Sequence, residues 1–263
     1  MKRKCVQLLL LAFLFAPAFL QAQTDKNKQG EYYQVTVYHF VTPDQGQLIE
    51  NFLKDAYVPA LHRQKIKSVG VFTPIANDTA MDKRFYVILP LSSLEAVEAI
   101  ENKLDKDAAY LAGGKTFIDA LYDNPAFARK EVILLKSFPM APSMVVPKLK
   151  TPVADRVYEL RSYEGASEKI FRNKVDMFNK GGEIALFKRL NFNAVFYASV
   201  IAGSRMPNLM YMTSFETMAE RDAHWKSFGA DPEWKTLSAM PEYQHNVSRN
   251  ETILMRGTAY SDY

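Results

Sequence analysis

Two stretches of the chain show a strand-like alternation of apolar and polar side chains. The second is followed by apolar side chains at helical spacing. The alternation is seen in YYQVTVYHF (residues 32–40) and in VYELRSYEG (residues 157–165). After the second stretch, apolar side chains recur at helical spacing, at Ile170, Phe171, Val175 and Phe178. These patterns predict a strand in both places, and an amphipathic helix after the second.

Further pairs of similar segments follow in the same order. GVF (70–72) resembles AVF (194–196), RFYVILPLSSLEA resembles NLMYMTSFETMAE, and EVILLKS resembles ETILMRG. All pairs lie 120 to 125 residues apart. A near-constant offset over four segments predicts a tandem duplication, in which each copy has the element order β-α-β-β-α-β.

That element order is typical of the ferredoxin-like fold, an antiparallel sheet with two helices on one face. The other face must be buried, and two copies can bury it against each other. We therefore predict an α+β protein of two tandem ferredoxin-like repeats, packed sheet to sheet as a pseudo-dimeric α/β barrel. The predicted bounds are 31–138 and 154–263, with a Pro-rich linker at 139–153.

The first 22 residues have the layout of a secretory signal peptide. A basic KRK at positions 2–4 precedes an apolar run from Val6 to Phe19, and small residues follow up to Ala22. An N-terminal membrane anchor is the alternative, although the run is short for a spanning helix. We expect cleavage after Ala22, no membrane span in the mature protein, and a periplasmic or secreted location.

Cleavage would change the charge and the cysteine content. Three of the 33 basic residues and none of the 29 acidic residues lie in the first 22, so the net charge would fall from +4 to +1. A nearly neutral protein lacks the basic footprint of a nucleic-acid binder. The single cysteine, Cys5, would also be removed, which leaves no thiol or disulfide chemistry.

The second repeat resembles the NIPSNAP family. The resemblance is carried by VYELRSYEG, IALFKRLNFNAVF, NLMYMTSFETMAERDAHW and DPEW, and it covers Arg156 to about Leu237. The first repeat resembles the same domain weakly, with Gln34 and Thr36 where the second has Glu159 and Arg161. The resemblance implies a dimeric α/β-barrel fold, as in small ligand-binding proteins, cofactor-free monooxygenases and some haem proteins. It implies no catalytic residues, and this chain would be an exported member with two tandem domains.

Both tryptophans of the chain lie in ERDAHWKSFGADPEWKTL, at positions 225 and 234. Asp231 is a good N-cap before Pro232, so a helix is predicted to restart there. Each indole lies three residues before another apolar side chain and thus shares a helix face with it. We expect both to pack the helices onto the sheet, with ligand stacking as the alternative.

Polar side chains on the strand at 157–163 are the main candidates for a binding site. Side chains two apart share a strand face, so Glu159, Arg161 and Tyr163 lie together, and we expect them to face the barrel interior. They form either a structural ion pair or a solvated face, or a pocket whose guanidinium orients a polar or anionic small molecule. The other ligand-binding candidates are Tyr197 and Tyr211, on the middle strands.

Patterns for metal and phosphate chemistry are missing from the sequence. No two of the four histidines, His39, His62, His224 and His245, have a metal-ligand spacing, so neither a metal nor a cofactor is expected. A single axial histidine for haem stays open, although His224 fits a solvated surface better. The glycine pairs lack the flanks of a phosphate loop, and no G-x-S-x-G motif is present.

The sequence favours an exported binding protein that holds a small molecule in the barrel pocket. One alternative is a cofactor-independent oxygenase or isomerase in the same pocket, for which Glu159 is the only candidate base. Another is a structural module that associates with proteins through its helical layer. A homo-oligomer is compatible with each of these, and whether the protein is an enzyme stays open.

Overall fold

The computed structural model describes residues 30–263, and its first half alternates strands with helices. The elements are β1 (Tyr32–Phe40), α1 (Pro43–Phe52), α2 (Val58–Arg63), β2 (Gly70–Pro74), β3 (Lys83–Leu91), α3 (Glu95–Leu104), α4 (Ala108–Gly113), α5 (Lys115–Ile118) and β4 (Arg129–Ser137). A π-helical turn, Leu53–Tyr57, joins α1 to α2. Thr42 and Gln45 form a capping box at the start of α1, which satisfies backbone N–H groups of its first turn.

The second half repeats the order. Its elements are β5 (Val157–Glu164), α6 (Glu168–Asn179), α7 (Glu183–Arg189), β6 (Ala194–Ala202), β7 (Asn208–Phe215), α8 (Met218–Ala230), α9 (Pro232–Ala239) and β8 (Arg249–Gly257), with a 3₁₀ turn at Pro241–Tyr243. The predicted N-cap at Asp231 is confirmed, and Thr217 caps α8. Thr217 accepts from the backbone N–H of Glu220, and Asp231 accepts from those of Glu233 and Trp234.

All eight strands form one closed antiparallel barrel in the order β1-β3-β2-β8-β5-β7-β6-β4. Each half contributes four consecutive strands. The halves join where β2 pairs with β8, as in Phe72 opposite Gly257, and where β4 pairs with β6, as in Leu135 opposite Val200. The predicted fold class is confirmed, and the barrel closes within a single chain.

Apolar side chains from both halves fill the barrel interior. The Tyr33 and Phe196 rings lie 5.2 Å apart, and the Phe72 and Tyr158 rings 4.8 Å apart, each pair across the two halves. Leu160 is fully buried in the same cluster. An eight-stranded barrel has an interior just wide enough for side chains, and here they occupy it.

The segment 139–153, predicted as a linker, is extended and lies against the barrel. Its Val145 N–H donates to the Val195 carbonyl at 2.9 Å, and Met144 packs against the interior cluster. The domain bounds given above stay predictions.

The predicted signal peptide, residues 1–22, lies outside the described residues. Among residues 30–263, no helix combines the length and apolar character needed to cross a bilayer.

Candidate functional site

The five candidate residues lie together, but on the opposite face of the sheet from the one predicted. Glu159 on β5 accepts hydrogen bonds from Arg221 and Trp225, which are both on α8. Glu159, Arg161 and Tyr163 therefore face the helices, and Leu160 faces the barrel interior. The predicted orientation is wrong because the closed interior is lined by apolar side chains, whereas α8 supplies partners for a buried charge.

The Glu159 carboxylate is fully buried and has four hydrogen bonds. Its Oε1 accepts from Arg161 Nε at 2.6 Å and from an Arg221 terminal nitrogen at 3.1 Å. Its Oε2 accepts from Arg221 Nε at 2.7 Å and from the Trp225 indole nitrogen at 2.8 Å. A carboxylate has about four acceptor positions, so Glu159 is saturated by these donors.

Opposing effects act on the pKa of Glu159. Burial alone would raise it, but the hydrogen bond from Arg221, the charge of Arg161 and the indole of Trp225 together lower it below its usual range. An ionised carboxylate with no free acceptor position is a poor general base. Glu159 therefore orients the two arginines and is a poor candidate for a general base.

Arg161 is held on three sides. Its Nε donates to Glu159, one terminal nitrogen donates to the Tyr163 hydroxyl at 3.1 Å, and its Cζ lies 3.9 Å from the Trp225 ring centroid. A guanidinium has five N–H donors, and within residues 30–263 only these two acceptors bind them. The side chain is 19% exposed, so its remaining donors lie near solvent.

A row of tyrosines extends from Arg161 into the layer between sheet and helices. The Tyr163 and Tyr211 hydroxyls are 2.9 Å apart, and Tyr211 stacks on Tyr197 with ring centroids 5.6 Å apart. The Tyr197 hydroxyl is buried and has no hydrogen-bond partner among the described residues. Burial raises the pKa of Tyr197 and Tyr211, so both are neutral hydroxyls at pH 7.

A second buried ion pair lies beside these tyrosines. Lys174 Nζ donates to Glu183 Oε2 at 2.9 Å, and the two side chains are 7% and 4% exposed. Gly182 adopts the left-handed conformation (φ 89°) that starts α7 at Glu183. Burial raises the pKa of Glu183, and the attraction of Lys174 only partly offsets this. Glu183 is thus the carboxyl of the cluster that most readily holds a proton.

Four members of this cluster were not predicted as site residues: Lys174, Glu183, Arg221 and Trp225. Three of them had a signal in the sequence. Arg221 and Trp225 are four apart on one predicted helix, so they share a face. Lys174 interrupts the apolar stripe of α6, which marks a lysine that is buried and paired. Nothing in the sequence places Glu183 next to Lys174.

Both tryptophans pack helices onto the sheet, as predicted. Trp225 and Trp234 are half-buried against the apolar cluster of the second half. The Trp225 indole N–H also binds Glu159, so this tryptophan has a polar role that packing alone did not predict. The Trp234 ring lies 4.4 Å from that of Phe228.

Trp234→Ala is expected to lower the free energy of unfolding by about 2 kcal/mol, since full burial of a Trp is worth about 3–5 kcal/mol and Trp234 is half-buried. For a chain of this size the midpoint of thermal denaturation should fall by roughly 4–8 °C. Trp234→Phe keeps a ring on Phe228 and should cost less than half as much. An unchanged midpoint for Trp234→Ala would show that this indole does not stabilise the fold.

Three of the four histidines, His39, His62 and His224, make polar contacts. His224 was expected at a solvated surface, but its side chain is only 20% exposed and lies 5.7 Å, ring to ring, from Phe192. His39 binds Asp82 at 2.8 Å. In residues 30–263, no group of three or more His, Cys, Asp or Glu residues is arranged to hold a metal ion.

The open space of the described chain lies mostly outside the Arg161 cluster. A pocket of about 40 Å³ at one end of the barrel, beside His39 and Arg84, has room for about one water. A groove of about 640 Å³ lies in the first half, along α3. The Arg161 cluster reaches solvent at Arg161 and Tyr163, which are both partly exposed.

The barrel is shared with several solved structures. A candidate monooxygenase from Lactobacillus acidophilus NCFM has a TM-score of 0.57 at 10% identity, over 87% of this chain and 94% of that one. A second one, from Fusobacterium nucleatum, has a TM-score of 0.55 at 8% identity, over 87% and 92%. An anthrone oxidase-like protein has 0.52 at 9%, over 88% and 93%. At these identities the likeness defines the fold, which is that of the dimeric α/β-barrel proteins.

Within that class, residues 158–262 match the NIPSNAP family model. The matched region contains every predicted site residue. The comparison with curated proteins finds no match.

Proposed function

We propose that the second half binds a small organic anion between its sheet and helices, with Arg161 as the residue that binds the acidic group. The observation that carries this proposal is the state of Arg161, a guanidinium held by Glu159, Tyr163 and Trp225 that is 19% exposed and keeps N–H donors without an acceptor in residues 30–263. A guanidinium fixed in this way can donate two parallel hydrogen bonds to a carboxylate or a similar planar anion.

The charges of the cluster support an anionic ligand. Three cations, Arg161, Arg221 and Lys174, lie beside two buried carboxylates, Glu159 and Glu183. Asp222 also pairs with Arg221, but it is 62% exposed and screened by solvent. The raised pKa of Glu183 increases the positive excess further. An anion at Arg161 would compensate that excess.

The ligand's body would be apolar or aromatic. Next to Arg161 lie the rings of Tyr163, Tyr211 and Tyr197, and the Tyr197 hydroxyl is free to bind a polar substituent. These residues support a ligand position in the layer between sheet and helices, because side chains fill the barrel interior where a pocket was predicted. The signal-peptide pattern supports a location outside the cytoplasm.

The proposal is tested with benzoate, an aromatic carboxylate, and with Trp225 as reporter. Trp234→Phe leaves Trp225 as the only indole of the chain. We expect benzoate to change the fluorescence of Trp225 saturably, and the neutral benzyl alcohol to have no such effect. Arg161→Met should abolish benzoate binding, measured by calorimetry, while the exposed Arg172→Met on α6 should keep it.

Equal benzoate affinity of the wild type and Arg161→Met would remove Arg161 from the site. No saturable response to benzoate would count against an aromatic carboxylate as the ligand. In that case, native mass spectrometry of the protein from its own host identifies any anion that it retains. If Arg161→Met also retained that anion at full occupancy, binding at Arg161 would be refuted.

An enzyme of the cofactor-independent oxygenase or isomerase type is the second candidate. It needs a group that accepts a proton beside the bound ligand. Glu159 does not supply one, because its acceptor positions are occupied. Glu183 is the better candidate, since it has a single cationic partner and a raised pKa and lies close enough to Tyr197 to raise the pKa of that hydroxyl.

A further inference from the structure

The groove of about 640 Å³ in the first half is a site of its own, away from the Arg161 cluster. It runs between the loop that follows α2, the end of β3 and one face of α3. Ligand pockets typically have volumes of about 300–1,000 Å³, so the groove can accept a small organic molecule.

The floor of the groove is apolar. Leu91 and Ile100 are 3% and 8% exposed and form its base. Ala96 and Ala99 lie along the same side of α3 and leave space, because their side chains end at Cβ. A ligand with an apolar body would bury surface there.

The rim of the groove is cationic. Lys65, Lys67 and Lys103 line it, and none of them lies within 4.0 Å of a carboxylate oxygen in residues 30–263. The one acidic side chain on the rim, Glu95, accepts from the Ser93 hydroxyl and from its own backbone N–H, and these hydrogen bonds lower its pKa. Three unpaired ammonium groups against one carboxylate make the rim complementary to an anion.

Lys65 lies on the rim with a backbone conformation that is strained for a residue other than glycine. It has a left-handed backbone (φ 68°) directly after Gln64, the C-cap of α2. The Lys65 N–H donates to the His62 carbonyl, and the Ile66 N–H donates to the Leu61 carbonyl. This is the Schellman motif, whose left-handed position is usually Gly because a side chain strains the backbone there. A glycine at this position would relieve the strain.

We propose that this groove binds an amphipathic organic acid. Its carboxylate lies among Lys65, Lys67 and Lys103, and its apolar body lies on Ile100 and the alanines of α3. The inference does not rest on the function proposed for Arg161, because the two sites share no residue.

The test is a titration with decanoate, followed by backbone amide NMR, with the neutral decanol as control. We expect decanoate to shift the amide signals of residues 64–67 and 92–103 saturably, and decanol to bind more weakly. Lys65→Gly should weaken decanoate binding by up to about fivefold, since an exposed ion pair is worth at most about 1 kcal/mol. It should not lower the denaturation midpoint, because it relieves the backbone. Addition of Lys67→Met and Lys103→Met should extend the loss to more than about tenfold.

Ala99→Leu fills the floor and should also reduce binding. Its side chain is exposed in the groove, so the fold should tolerate the change. Lys235→Met, at an exposed lysine of α9, and Arg161→Met should both leave decanoate binding unchanged. The proposal is overturned if decanoate does not bind saturably, if decanol binds as tightly, or if the triple lysine variant keeps the wild-type affinity.

Discussion

Residues 153–263, expressed without the first half, are expected to aggregate or to form a homodimer. In the whole chain, β8 pairs with β2 and β6 pairs with β4, so the fragment would leave two strand edges unpaired. Exposed edges are templates for pairing with other chains. The face lined by Tyr158, Leu160 and Phe196 would also lose its cover, which is a larger apolar patch than soluble monomers usually expose.

Analytical ultracentrifugation of the fragment, together with its urea denaturation, checks this expectation. Co-expression with residues 31–152 is the control, because it supplies the missing strands. The two pieces should then give a 1:1 complex with one cooperative transition. A monomeric fragment that unfolds cooperatively on its own would contradict the importance of the shared interior for folding.

Glu159→Gln is expected to lower the free energy of unfolding by about 3–5 kcal/mol at pH 7, which is the typical cost of removing one partner from a buried ion pair. The substitution leaves Arg161 and Arg221 without their shared carboxylate, and it places an amide N–H₂ group against N–H donors. Urea denaturation of both proteins measures the difference.

The pH dependence of this difference follows from the pKa of Glu159. The pKa is lower in the folded state than the ordinary value of 4.5. The stabilisation by Glu159 is therefore complete above about pH 4.5 and is lost as the pH falls through the folded-state pKa. Wild type and Glu159→Gln should thus approach equal stability in acid. A gap that stays constant down to pH 3 would show that the carboxylate charge is not its cause.

Glu183→Gln is the matched control for Glu159→Gln, because both glutamates are buried and paired. Burial raises the pKa of Glu183, which has only Lys174 as partner, so its ionised form is already disfavoured. Replacement by a neutral amide should cost clearly less. If both variants lost the same stability, the number of donors around Glu159 would not explain its effect.

The strands and helices that carry the candidate site could be predicted from the sequence, because local periodicity and helix caps define them. The alternation in VYELRSYEG places Glu159, Arg161 and Tyr163 on one face, and Asp231 starts a helix before Trp234. The internal repeat predicts eight strands and a closed barrel, since neither half can bury its sheet alone. These inferences depend on neighbours along the chain and on the need to bury apolar surface.

The direction in which that face points was decided only by the tertiary structure. Alternation distinguishes two faces of β5 but does not say which one meets the helices. Arg221 and Trp225 on α8 bring three donors to Glu159 from more than 60 residues away, and these donors keep the buried carboxylate ionised. The pairing of Lys174 with Glu183 and the groove along α3 likewise arise from the packing of separate elements. The sequence by itself therefore determined the elements and their amphipathic faces. Tertiary packing decided which charges are paired and which remain free to bind, because the ionisation of a buried group depends on partners that are distant in the chain.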